Sequence, residues 1–304
     1  MYSIPDHLRP LNRRADLRTR LLIFWAMLGW TLVALWVVTR REPSPTQLLA
    51  LIVTGTAGIV ACAPLTLQRL RGMARLPKLR RLTQQGLEHL HAGEAAEALM
   101  LFEQASRLSQ GLLPMGHAMS VHNVGVALLR AGEPERAVAL IEQVWAAGVM
   151  DSWQLRRSRD VLYATRSVAH AVAGQLDEAE QALMTAQTYR SKRHPGRLLF
   201  AETLVAARQT VAPAVDELAA QWEQAERDLT PIQRRGMRLL LAFLVHRNQG
   251  PEATISLWLG GLLPMPTGAL DYLAVRWPEL HEFMQARNLL RVEAPEELRS
   301  GQAT

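Results

Sequence analysis

Residues 123–145 read NVGVALLRAGEPERAVALIEQVW. Ala137, Leu140, Ile141, Val144 and Trp145 fall at the i, i+3, i+4, i+7, i+8 spacing that sets apolar side chains on one buried helical face. Pro134 stands where that helix would begin, a position whose N–H has no intrahelical partner in any case. Ala131-Gly132 supplies a turn before it. The same pattern, Ala-Gly-x-x-x-x-Ala, recurs at Ala92-Gly93 to Ala98 and at Ala173-Gly174 to Ala179, with successive spacings of 39 and 42 residues. A period in that range marks a helical solenoid, in which each unit buries its apolar face against the next.

Around these turns the chain resembles the tetratricopeptide repeat family, over windows of roughly 79–112, 118–151 and 160–193. In the first window Gly86 takes the small position of the leading helix and Gly93 the turn. Ala98 and Ala105 take the close-contact positions of the second helix, and Phe102 its large core position. In the second, Asn123-Val124-Gly125 matches the family's Asn-Leu-Gly, Gly132 and Ala137 match, Ile141 replaces the aromatic and Val144 the small residue. In the third, Gly174, Ala179 and Ala186 match, Leu183 replaces the aromatic and Ser167 takes the small position. Extra residues, Leu113 to His117 and Ser152 to Arg159, separate the windows. The resemblance implies an all-α solenoid of three repeats over 82–193. Beyond it, 194–291 reads as two degenerate repeats and a capping helix, with helical segments at 197–209, 212–229, 232–248, 252–260, 268–275 and 278–290. The polar Arg247-Asn248-Gln249 with Gly250 suggests a turn, and 292–304 reads as a polar tail.

Two uncharged apolar runs precede the repeats: 21–39, LLIFWAMLGWTLVALWVVT, and 48–67, LLALIVTGTAGIVACAPLTL. Each has about the length that crosses roughly 30 Å of hydrocarbon. The first should insert with roughly −3 to −6 kcal/mol; Thr54, Gly55, Thr56, Gly58 and Pro64 dilute the second. Pro43 and Pro45 interrupt the linker between them. The expectation is a two-helix transmembrane hairpin over 21–67. Basic residues of the leader 1–20 and of the juxtamembrane segment 68–81 (Arg69, Arg71, Arg75, Lys78, Arg80, Arg81) put both termini in the cytoplasm and set the second group against lipid headgroups. This reading gives an integral protein of a bacterial inner membrane. Two competing readings are a cleaved signal peptide over the first run and a lipoprotein, from Ile59-Val60-Ala61-Cys62, that would carry the repeats outside the cytoplasm. Ala50, Thr54, Gly58 and Cys62 recur every four residues, a small-residue stripe suited to helix packing and to a homo-oligomer contact.

The net charge is +6 and the pI near 10.2. Such a balance fits nucleic acid, anionic lipid or an arginine-rich proteome. The single cysteine, Cys62, excludes an internal disulfide framework. Basic clusters lie at Arg156-Arg157 with Arg159, at Arg190 with Lys192, Arg193 and Arg197, and at Arg234-Arg235 with Arg238. They read as solvated faces, or as a ridge by which a regulator would bind lipid or nucleic acid. No aromatic residues interleave for base stacking, which argues against nucleic acid.

Catalytic and metal motifs are missing: no His-Glu-x-x-His, phosphate-binding glycine loop or nucleophile elbow occurs. His89 and His91 point to different sides of a helix, His281-Glu282 is an ordinary pair, and His170 fits a packed position. The sequence therefore implies no enzyme, cofactor or metal. The resemblance implies a concave groove, with His122, Asn123, Val126, Leu129 and Arg130 as its exposed face in the second repeat, suited to a protein or peptide partner. Some family members clamp a carboxylate there. Carried onto this chain the clamp falls on Thr83, Leu87, Asn123, Val161 and Thr165, of which only Asn123 matches. The implied function is a membrane-anchored scaffold or adaptor that recruits a protein, with an envelope assembly factor as the alternative.

Overall fold

A computed structural model describes residues 44–110, 114–189, 195–209, 215–262 and 268–290, with isolated positions before 44. The protein is all-helical, with no strand among the described residues. Helix α1 spans Pro45–Ala92, α2 Ala95–Ser109, α3 Pro114–Arg130, α4 Pro134–Ala146, α5 Arg159–Ala173, α6 Leu176–Thr188, α7 Pro195–Arg208, α8 Val215–Ala225, α9 Pro231–Arg247, α10 Glu252–Gly260 and α11 Pro278–Ala286.

Consecutive helices pack as antiparallel pairs, and the odd-numbered helices α3, α5, α7 and α9 also stack on one another. Three of the turns share one geometry. Gly93, Gly132 and Gly174 have φ of 91°, 81° and 81°, a left-handed conformation that costs glycine nothing. The next residue's N–H closes each helix: Glu94 donates to the His89 carbonyl, Glu133 to Leu128 and Gln175 to His170, at 2.9, 3.0 and 2.9 Å. The turn after α9 is closed alike, Gly250 donating to the Val245 carbonyl at 2.8 Å, but there the left-handed residue is Gln249, φ 54°. A side chain in that conformation costs roughly 1–2 kcal/mol.

Helix crossings are close where the sequence supplies small residues. A Cβ on Gly86 would lie 2.6 Å from the Phe102 ring, and one on Gly125 would lie 3.0 Å from Ile141 Cγ1. At the third crossing Ser167 Oγ donates to the Ala179 carbonyl at 2.8 Å. Phe102 and Ile141 are fully buried, each contributing about 1.5–3 kcal/mol by the usual area scaling. Helix α9 begins with a capping box: Gln233 N–H donates to Thr230 Oγ1, and Thr230 N–H to Gln233 Oε1.

The apolar runs before the repeats require a correction. Among the described residues no helix is long and apolar enough to cross a membrane. The two-span hairpin over 21–67, and with it the integral-membrane address with both termini in the cytoplasm, is therefore not supported. The run 48–67 is instead the first half of one uninterrupted helix, α1, that continues into the first repeat. Thr54, Gly55, Thr56, Gly58 and Pro64 dilute that half, and the remaining length carries the exposed cations Arg75, Lys78, Arg80 and Arg81. Most of 21–39 lies outside the described residues. The apolar side chains that are described there and early in α1, Trp25, Leu32, Trp36, Leu49 and Val53, are exposed. The leader 1–20 lies outside apart from Leu8, which is buried in the main core. The stripe Ala50, Thr54, Gly58, Cys62 lies within α1, but its side chains and those of Arg69 and Arg71 lie outside the described residues, as does the tail 292–304.

A second departure concerns 268–275, read as helix from its apolar content. It forms turns and a short 3-10 helix, Asp271–Leu273. This segment returns the chain to the second pair. Tyr272 Oη accepts from Arg130 at the end of α3, and Arg276 Nε donates to Glu135 Oε1 at 2.7 Å at the start of α4. Gly132 faces Val275 across the same contact. Helix α9 likewise reaches α1. The array curls far enough for its last elements to touch its first.

Candidate functional site

That curl forms a partly open cavity of about 320 Å3 along the inner helices. Helix α1 contributes Leu87, Leu90 and His91; α3 contributes Met119, His122, Asn123, Val126, Leu129 and Arg130. Val161, Thr165 and Val168 come from α5, Arg197 and Phe200 from α7, and Ile232 and Gln233 from α9. All five residues expected to face a groove, His122, Asn123, Val126, Leu129 and Arg130, thus meet in one place. They do so in a partly enclosed space, with Asn123, Val126 and Arg130 half-buried. Leu129 and His122 are 2% and 4% exposed, so Leu129 is a core residue that only edges the cavity.

The cavity's electrostatics are one-sided. Among its described lining residues are two arginines and two histidines and no carboxylate. Asp160, buried in α5 beside the lining residue Val161, accepts from the Val161 N–H at 2.8 Å, and other acids of the array are paired. Glu142 pairs with Arg166 through two bonds of 2.6 and 2.7 Å and with His170 at 2.8 Å. Glu226 lies 3.6 Å from Arg238, and Glu135 pairs with Arg276. His122 is buried with Nδ1 unpartnered, and burial lowers its pKa to about 4. His91 is lowered too, first by burial and then by the charges of Arg197 and Arg130. Both imidazoles are held neutral beside fixed positive charge.

A second, more open concavity of about 560 Å3 lies between α1 and α3, lined by Leu79, Arg80, Arg81, Thr83, Gln84, Gly116, Met119, Ser120 and Asn123. Met119 and Asn123 belong to both spaces, so the two adjoin at these side chains, and the more open one is termed the mouth. Of the clamp positions, Thr83 sits in the mouth, and Leu87, Asn123, Val161 and Thr165 line the interior. Of the juxtamembrane cations, Arg80 and Arg81 edge the mouth.

The described members of the other basic clusters have separate surroundings. Arg159 donates to the Asp151 carbonyl and lies over the Tyr189 ring. Arg238 lies 4.9 Å over Trp222, Arg197 faces the cavity, and Arg190, Lys192 and Arg193 lie outside the described residues. His170 is buried between Gln175 and Glu142, and no described group of three or more His, Cys, Asp or Glu is placed to hold a metal.

Sequence reasoning missed the arginines that end the inner helices. Arg208, last in α7, donates to the Ala171 and Val172 carbonyls at the end of α5, and to the Arg276 carbonyl. Arg247, last in α9, donates to Ala207 O at 2.7 Å at the end of α7. Each guanidinium meets the negative end of the preceding inner helix. The signal was present, since a basic residue in a last turn is a recognised stop signal, but its target on the neighbouring helix is not a local property.

No protein-family model matches this chain, and no curated protein or solved structure is significantly similar to it.

Proposed function

We propose that this protein is a non-catalytic adaptor built from tetratricopeptide-like helix pairs, which holds a protein partner at the mouth between α1 and α3. The observation that carries this reading is the mouth itself. It is a concave surface on the inner side of the first two pairs, and the returning C-terminal segment, which contacts the second pair at Arg130, Gly132 and Glu135, is not among its lining residues. Its lining mixes apolar (Leu79, Met119), cationic (Arg80, Arg81) and amide (Gln84, Asn123) groups, the composition by which a chain segment is both desolvated and oriented. The partner best suited to it is a short segment bearing an acidic and an apolar residue.

A photocrosslinking residue placed at Gln84 or Gly116 tests this in the full chain. Crosslinking to one discrete protein from those two positions, and not from the exposed Met184 of α6, is the expected result. The crosslink should weaken when Arg80 and Arg81 are both changed to Glu. Equal crosslinking from Met184, or indifference to the charge reversal, refutes the reading.

A further inference from the structure

The interior cavity carries a second inference, which goes beyond the partner reading because it concerns a different space and ligand class. Polar atoms withdrawn from water are normally hydrogen-bonded. Arg197 is half-buried and makes no hydrogen bond or ion pair with the described residues; its Nε is buried without a partner. Arg130 has Tyr272 Oη as its polar partner, a neutral group that leaves its charge uncompensated. His122 presents an unpartnered Nδ1 in the same space. The lining also holds apolar Leu87, Leu90, Val126, Val168 and Phe200, with Asn123, Thr165 and Gln233 as neutral polar members.

We propose that the cavity binds a small organic anion with an apolar body, its head group held by Arg197 and Arg130 with His122 as a further donor, and its body against Phe200 and Val126. A guanidinium is suited to an oxyanion head because its N–H donors form a planar fork. The size is set by the space: at about 30 Å3 per water-sized group, 320 Å3 holds on the order of ten non-hydrogen atoms. That is an eight-carbon chain with a carboxylate. Arg80 and Arg81 at the mouth would draw such an anion inward.

Calorimetric titration of the full chain with sodium octanoate, octyl phosphate, 1-octanol and sodium acetate tests the proposal. Octanoate or octyl phosphate should bind with one-to-one stoichiometry, at least tenfold more tightly than 1-octanol and than acetate; the tighter of the two assigns the head group. Arg197→Gln should weaken that binding at least tenfold without lowering the melting temperature of the unliganded protein, because the arginine has no internal partner to lose. Val126→Phe, which fills the cavity, should also abolish binding. Equal affinity for octanol, no binding of either amphiphilic anion, or unchanged binding in Arg197→Gln overturns the proposal. So does unchanged binding in Val126→Phe. If those results come with the crosslink from Gln84 intact, the cavity inference falls and the partner reading stands.

Discussion

Stability should fall between pH 7 and pH 5 because of one imidazole. His122 is fully enclosed, Nδ1 has no acceptor or donor beside it, and burial lowers its pKa from 6.5 to about 4. Protonation is therefore easier in the unfolded chain, which binds the extra proton first as pH drops below about 6.5. The contribution is fully present above that value and is lost progressively down to about pH 4, below which both states are protonated. The whole displacement corresponds to about 3 kcal/mol at roughly 1.4 kcal/mol per pKa unit. Between pH 7 and pH 5 the loss is about 2 kcal/mol. The perturbation that isolates it is His122→Asn, which keeps an amide donor and cannot titrate. Urea unfolding followed by tryptophan fluorescence, at pH 7, 6 and 5, measures the difference. Wild type should lose about 2 kcal/mol more than the variant over that interval, whatever the variant costs at pH 7. His91 shifts in the same direction but is present in both proteins and cancels. Glu142, held down to about 2 from 4.5, moves stability only as pH falls through the unfolded carboxylate value, outside this interval. Parallel pH curves for the two proteins would refute the claim that His122 is buried uncharged.

Three further outcomes follow from particular contacts. Gly86→Ala should destabilise by about 1–3 kcal/mol, since its Cβ would sit 2.6 Å from the Phe102 ring, whereas Gly125→Ala, at 3.0 Å from Ile141 Cγ1, should be near neutral after the helix-propensity gain of about 1 kcal/mol; thermal melts of the two variants check the order. Glu142→Gln should cost on the order of 1 kcal/mol at pH 7, discounted for a carboxylate that is 36% exposed. Burial alone would raise its pKa, but the hydrogen bonds from His170 and Arg166 outweigh that. Its share is thus present above the unfolded carboxylate value and lost as pH falls toward 2, so wild type and variant should converge in acid. Tyr272→Phe removes the acceptor of Arg130 at a site 1% exposed, and should cost roughly 1–3 kcal/mol. It should also raise hydrogen exchange across 268–277 relative to α5 and α6; unchanged exchange there would mean that the return is held by other contacts.

What the sequence revealed and what it hid divide along the range of the interactions. Gly93, Gly132 and Gly174 were readable because each turn needs a left-handed residue with an alanine five positions on, all within one short segment. Ala98, Ala137 and Ala179 were readable for the same reason, and all three are fully buried. The later pairs blurred because Gln249 adopts a conformation that glycine usually takes, so the turn at 247–250 lacks the Ala-Gly motif of the first three. Helix termination by Arg208 and Arg247 escaped because the carbonyls they meet lie 37 and 40 residues away. The reading of 48–67 as a free membrane span went wrong at its end. Gly72 and Pro77 follow Leu67, yet α1 runs on through the basic segment to Ala92.

The largest change of meaning comes from the return of 268–277. Read locally, the inner face of the second repeat is an open groove, and His122, Val126 and Arg130 are surface residues awaiting an extended partner. Arg130 and Tyr272 are 142 residues apart, and no repeat pattern announces their contact. Once it forms, together with the pair Arg276–Glu135, the chain itself occupies one end of the groove. An extended peptide lying along all the inner helices would have to displace a buried tyrosine and an ion pair. A segment at the mouth would displace neither, and a ligand of about ten atoms fits behind it. The closure therefore decides between ligand classes more sharply than any single lining residue does. A variant that opens it, such as Tyr272→Phe combined with Arg276→Ala, should weaken capture of a small anion while leaving the mouth's crosslinks in place.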